Sequence, residues 1–151
     1  MTYSGGYAVV LILHLLTVVF VVGPSAVAGL TSVRHARAGR AEALRDASRT
    51  TRLYSLATLI TVLLGTVLVG RGAVGRQWEF SQLWVSASYV LSLVAVALMI
   101  GLVVPAQVEA ATAVGAGRVG GAFAGRIVAG AGLATLAWSA IIVLMVAKPG
   151  A

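Results

Sequence analysis

Charge in this 151-residue chain is confined to short stretches, and long apolar blocks separate them. No acid, lysine or arginine precedes Arg34. Between Arg52 and Arg71 stand 18 uncharged residues, "LYSLATLITVLLGTVLVG", and no charge interrupts residues 80–108. Residues 127–147, "IVAGAGLATLAWSAIIVLMVA", make a fourth block. As a helix, 18 residues measure about 27 Å, close to the ~30 Å of a bilayer's hydrocarbon core. Backbone amides in hydrocarbon must be satisfied within the chain, and the blocks lack the ten-residue alternation of a barrel, so each is predicted to be a helix. The pattern therefore predicts an all-α polytopic membrane protein, a single domain of four transmembrane helices over residues 1–151. The expected spans are 7–31, 53–70, 82–104 and 127–147, joined on one side by loops 34–52 and 105–126. "MTYSGGYAVV" lacks the positive start of a cleavable signal, so the first block reads as a retained span. Pro105 is expected to mark the end of the third span.

Composition agrees. The chain is 60% hydrophobic and 10% charged with mean hydropathy +1.01, against about 25% charged residues in ordinary globular proteins. A single small core could not hide four such blocks, so lipid is the expected solvent and first partner. The net charge of +7 does not point to nucleic acid, because the arginines sit between apolar blocks instead of covering a face with interleaved aromatics. One lysine against ten arginines, with many Ala, Gly and Val, fits a GC-rich bacterial genome and an inner-membrane location.

The basic residues also predict orientation. Arg34, Arg37, Arg40, Arg45, Arg49 and Arg52 lie in the first loop and Arg118 and Arg126 in the second, against Arg71, Arg76 and Lys148 on the other side. Positive residues favour the cytoplasm, so both termini should lie outside. Tyr3, Tyr7, Trp78 and Trp84 would then gather at the outer interface, where amphipathic rings settle. Glu42 and Asp46 share a helical face with Arg45 and Arg49 close enough to pair, which makes the first loop a solvated face or a docking surface for a cytoplasmic or membrane partner.

Few residues could carry chemistry. His14 falls about seven residues, hence ~10 Å, inside the first span. An imidazole there turns inward, as a haem or metal ligand, a proton-handling group, a quinone contact, or simply a hydrogen bond to a neighbouring helix. Metal binding needs several ligands, yet the other histidine, His35, belongs to the far end of the same helix, and no acid is expected inside a span. Cysteine is absent, which removes thiolate chemistry. Ser86, Ser88 and Ser92 have no organised histidine and acid, so nucleophilic catalysis is not expected. Pro24 should kink the first helix by freeing the carbonyl of Phe20. Small residues at four-residue spacing, Ala57, Thr61 and Gly65 in the second helix and Gly117, Gly121, Gly125 and Ala129 leading into the fourth, predict close helix packing. "GAGRVGG" lacks the strand and the Lys-Ser/Thr ending of a phosphate loop. Both halves hold two spans joined by a basic turn, an arrangement compatible with parallel duplication.

"LHLLTVVFVVGPSAVAGLTSVRHARA", "RLYSLATLITVLLGTVLVG" and the ending "IIVLMVAKPG" resemble a group of small bacterial four-helix integral membrane proteins of unknown function. That group is distantly similar to the four-helix protoporphyrinogen oxidase and copper-resistance D type families, in which a first-helix histidine precedes a glycine-containing apolar run and the chain ends in Lys-Pro. The resemblance implies the four-helix architecture and a haem contact for His14.

Three functions stay open on these residues. The first is a non-enzymatic accessory or stabilising subunit of a larger inner-membrane complex, respiratory or transport, binding other membrane subunits or a second copy and needing no cofactor. The second is a haem- or porphyrin-associated oxidoreductase using His14. The third is a small proton-linked permease in which Pro24 permits rocking.

Overall fold

The computed structural model describes residues 5–71 and 79–149. Tyr3, Arg76 and Trp78, expected on the outer side, lie outside the described residues. Four helices are long and apolar enough to cross a membrane: α1 (Gly5–Arg37), α2 (Ala41–Arg71), α3 (Leu83–Gly115) and α4 (Gly120–Ala147). Cross-helix bonds set their directions. His14 on α1 meets Thr61 on α2, Ser25 meets Ser55, and Gln107 on α3 reaches both Ser32 and Thr51. Rising numbers on α1 face falling numbers on α2. Likewise Tyr89 bonds Thr66 and Gln107 bonds Thr51, and Glu109 pairs with Arg126. The bundle is therefore up-down-up-down, with both termini at one end and the arginines of the two expected loops at the other.

α1 and α3 run 33 residues each, about 50 Å at ~1.5 Å per residue, so they outreach a bilayer core. Both continue through their prolines. A π turn, Val18–Val22, precedes Pro24, and another, Met99–Val103, stands in the same position before Pro105. A proline offers no N–H and crowds the carbonyl four residues back. The wider turn absorbs both defects: Gly23 N–H bonds Val18 O and Val104 N–H bonds Met99 O, each five residues back. The third helix consequently does not end at Pro105. It runs on to Gly115, and most of the expected loop 105–126 is helical.

The expected loop 34–52 shrinks in the same way, to the turn 38–40. That turn is a Schellman closure: Arg40 N–H bonds His35 O and Gly39 N–H bonds Ala36 O, with Gly39 at φ +65°. The α3–α4 turn repeats it, Arg118 N–H to Ala113 O and Gly117 N–H to Val114 O, with Gly117 at φ +72°. Gly117 thus caps a helix, and its left-handed φ is the reason for glycine there, not helix packing.

Towards the arginine end the helices touch almost backbone to backbone. Ala36, Ala106, Ala110, Ala111 and Ala124 surround Leu44 and Ile127 in the main core. A Cβ on Gly120 would sit 2.8 Å from the backbone oxygen of Ala36, and one on Gly130 would sit 2.7 Å from Val103 Cγ2. The buried ridge of α4 is Gly120, Ala124, Ile127, Gly130, Ala131 and Ala134. This corrects the expected seam: Gly125 and Ala129 are exposed and Gly121 is half-buried. The bulky Ile127, Trp138 and Ile141 decide which face of α4 turns inward, and the small residues beside them follow. On α2 the buried line is Leu44, Ser48, Thr51, Ser55, Thr58 and Thr61, with Ala57 half-buried beside it.

Candidate functional site, a cavity in the termini half

Before its π turn α1 packs against α2; beyond it, against α2, α3 and α4. The termini half of the bundle is correspondingly looser and holds a partly open cavity of about 100 Å³. It lies between the main core and a small cluster of Val69, Trp84 and Val85. All four helices line it: His14 from α1, Thr58, Thr61 and Gly65 from α2, Ser88, Tyr89 and Ser92 from α3, and Trp138 from α4, amid aliphatic walls.

His14, only 6% exposed, is fixed by one bond. Its Nδ1 stands 3.0 Å from the carbonyl oxygen of Thr61. A carbonyl only accepts, so Nδ1 carries a proton, and in the neutral ring the lone pair then lies on Nε2. Nε2 makes no hydrogen bond among the described residues. Gly65 permits the approach, since a Cβ there would lie 3.3 Å from His14 Cε1. Of the sequence-predicted residues, the structure brings together His14, Thr61 and Gly65. Pro24 follows the π turn in α1, one helical stretch away.

The hydroxyls around the cavity divide into two groups. Ser88, Ser92 and Thr58 donate to carbonyls of their own helices, Trp84, Ser88 and Tyr54 respectively, and Tyr89 donates to Thr66 at 2.5 Å. Among the described residues Thr61 Oγ1 and Trp138 Nε1 have no partner, although both residues are only 7% exposed. A buried polar atom left unmatched by protein costs ~1–3 kcal/mol, which a bound ligand or an ordered water would relieve. Trp138 was not anticipated from the sequence. Its signal was the spacing with Ala134 and Ile141, which puts a lone indole on the inward ridge of α4.

Trp84, expected among the interfacial aromatics, turns inward instead. It is 6% exposed, its Nε1 donates to Gln82 Oε1 at 3.2 Å, and Lys148 Nζ lies 5.7 Å from its ring centroid. The arginines behave otherwise. Arg34, Arg37, Arg40, Arg45, Arg49 and Arg52 are all exposed, and the Arg49–Asp46 pair at 4.0 Å is well solvated, so it adds little stability.

No group of three or more His, Cys, Asp or Glu side chains converges among the described residues. A haem does not fit either: the cavity supplies one imidazole, and about 100 Å³ falls below the ~300 Å³ at which pockets begin to enclose drug-sized ligands. No acid lines the cavity to orient His14 as a base. The arrangement can accept one hydrogen bond, donate one or two, and shelter an apolar group. Set against family models, curated proteins and solved structures, the chain matches none. The class that fold and cavity define is a four-helix, membrane-type bundle with a small amphipathic cavity.

Proposed function

We propose that this chain is a non-enzymatic binding protein of the bacterial inner membrane, with its arginine end in the cytoplasm and both termini outside, that takes a small lipid-soluble molecule into the outer half of its bundle. One observation carries the reading: His14, Thr61 and Trp138, from three helices, line one cavity, and His14 Nε2, Thr61 Oγ1 and Trp138 Nε1 have no hydrogen-bond partner among the described residues. The eight arginines at one end support the orientation through the preference of positive residues for the cytoplasm. The test is native mass spectrometry of the protein extracted in a mild detergent. Wild type should carry a small molecule that denaturation releases, and His14→Phe and Gly65→Ala should carry none. Identical empty spectra for wild type and both variants would overturn the reading.

A second reading, an accessory subunit of a larger membrane complex, is favoured by the outward face of α4. Gly125 and Ala129 stand exposed at four-residue spacing, and a Cβ on Gly125 would meet nothing within 4 Å, which leaves room for a partner helix to approach closely. Gly125→Ile should then abolish co-purification of a partner while leaving the fold intact; retention of the same partner by the variant would remove this support.

A further inference from the structure

The donors and acceptors around the cavity define the chemical class of its occupant, an inference that rests on the binding role proposed above. The lining contains no carboxylate, so an imidazolium there would lack a counter-charge. In the neutral ring, with Nδ1–H spent on Thr61 O, Nε2 can only accept. Trp138 Nε1–H can only donate, and Thr61 Oγ1 can do either. Each candidate head group meets this set differently. A ketone, ester or ether satisfies Trp138 but leaves His14 facing another acceptor. A carboxylate does the same and brings an uncompensated charge. An ammonium matches His14 but opposes the indole N–H. A hydroxyl does both through a single oxygen, donating to Nε2 and accepting from the indole or from Thr61, where an amide or a neutral carboxylic acid needs two heavy atoms to do the same.

We infer that the occupant is an alcohol or phenol: a neutral hydroxyl on an apolar body, with its O–H directed to His14 Nε2 and its oxygen towards Trp138 Nε1 and Thr61 Oγ1. The room suits a head group, since about 100 Å³ corresponds to roughly three waters at ~30 Å³ each. Val18, Val22, Val69, Ile141 and Ile142 supply aliphatic walls for the adjoining carbons. The remainder of a longer molecule would lie along the opening.

The experiment compares matched probes on the full chain in phosphatidylcholine nanodiscs, which bring no hydroxyl of their own: 4-ethylphenol against 4-ethylanisole, and 1-octanol against its methyl ether. The readout is the indole N–H resonance of Trp138, assigned by its loss in Trp138→Phe, together with competition binding. Each hydroxyl probe should bind saturably and shift that resonance, with its ether at least tenfold weaker. His14→Phe should erase the difference between the members of each pair. Trp138→Phe, which removes the donor together with part of the ring, should weaken each hydroxyl probe about tenfold in competition while changing its ether much less. If ethers bind as well as their alcohols, the hydroxyl class is wrong while the cavity remains a binding site. If no probe saturates and the indole proton only exchanges with water, the occupant is water and both statements fall.

Discussion

The two halves of this bundle are built from the same four helices under opposite rules. In the arginine half, glycine and alanine bring helices so close that Gly120 has no space for a methyl group. In the termini half, Trp84, Tyr89 and Trp138 hold the helices apart and a cavity remains between them. Each half leaves polar atoms unmatched, His35 Nδ1 and Gln107 Oε1 in one, Thr61 Oγ1 and Trp138 Nε1 in the other. Only the second pair belongs to residues that line the cavity beside His14. Helices that share backbone contacts make a rigid base, and helices spaced by aromatic rings make a vessel. The break between the two regimes falls at the π turns of α1 and α3.

Substitutions of graded severity test this contrast through unfolding free energies in mixed micelles. Gly120→Ala should be the most damaging, about 2–3 kcal/mol, because a Cβ there meets Val114 Cγ2 at 2.6 Å and also the Ala36 backbone oxygen at 2.8 Å, which cannot swing aside. A cost below ~0.5 kcal/mol would show that the arginine half is not closely packed. Gln107→Ala should lose about 1–2 kcal/mol, since it deletes the bonds to Ser32 and Thr51, although Ser32 Oγ keeps the bond it donates to Gly29 O. Trp138→Phe sets two effects against each other, since losing an unmatched donor gains about 1–3 kcal/mol and trimming a buried ring costs a similar amount; with the cavity empty, stability should change by less than ~1 kcal/mol, and a saturating alcohol should stabilise the wild type more than the variant. Gly65→Ala should cost less than ~1 kcal/mol, because the His14 ring can give by a few tenths of an ångström, yet binding should drop because the shifted ring and the new methyl group narrow the space beside Nε2. The smallest effect belongs to Gly125→Ala, a gain of about 0.5 kcal/mol from reduced freedom of the unfolded chain, since the new methyl group meets nothing.

The four helices were legible because a charge-free run of 18 residues has one way to satisfy its backbone in lipid. Their ends were not, because a proline signals a missing hydrogen bond without saying whether the helix stops or widens; at Pro24 and Pro105 it widens. His14 stood out as an imidazole deep in an apolar block. Its partner could not, since a backbone carbonyl such as that of Thr61 leaves no trace in a sequence. The α4 seam was misread because 18 glycines give many four-residue spacings, and the choice between them is made by Ile127, Trp138 and Ile141. Trp138 itself was passed over as one more apolar residue, since nothing in a one-dimensional pattern shows that an indole N–H has been left without a partner.

The paired glycine closures at Gly39 and Gly117 bear on how the molecule comes together. Each joins two antiparallel helices through a few residues, so the chain consists of two hairpins, either of which can enter lipid as one piece before the other is made. Assembly then reduces to docking two finished units, and the buried amide of Gln107, reaching from the second hairpin to Ser32 and Thr51 on both arms of the first, is the key that sets their register.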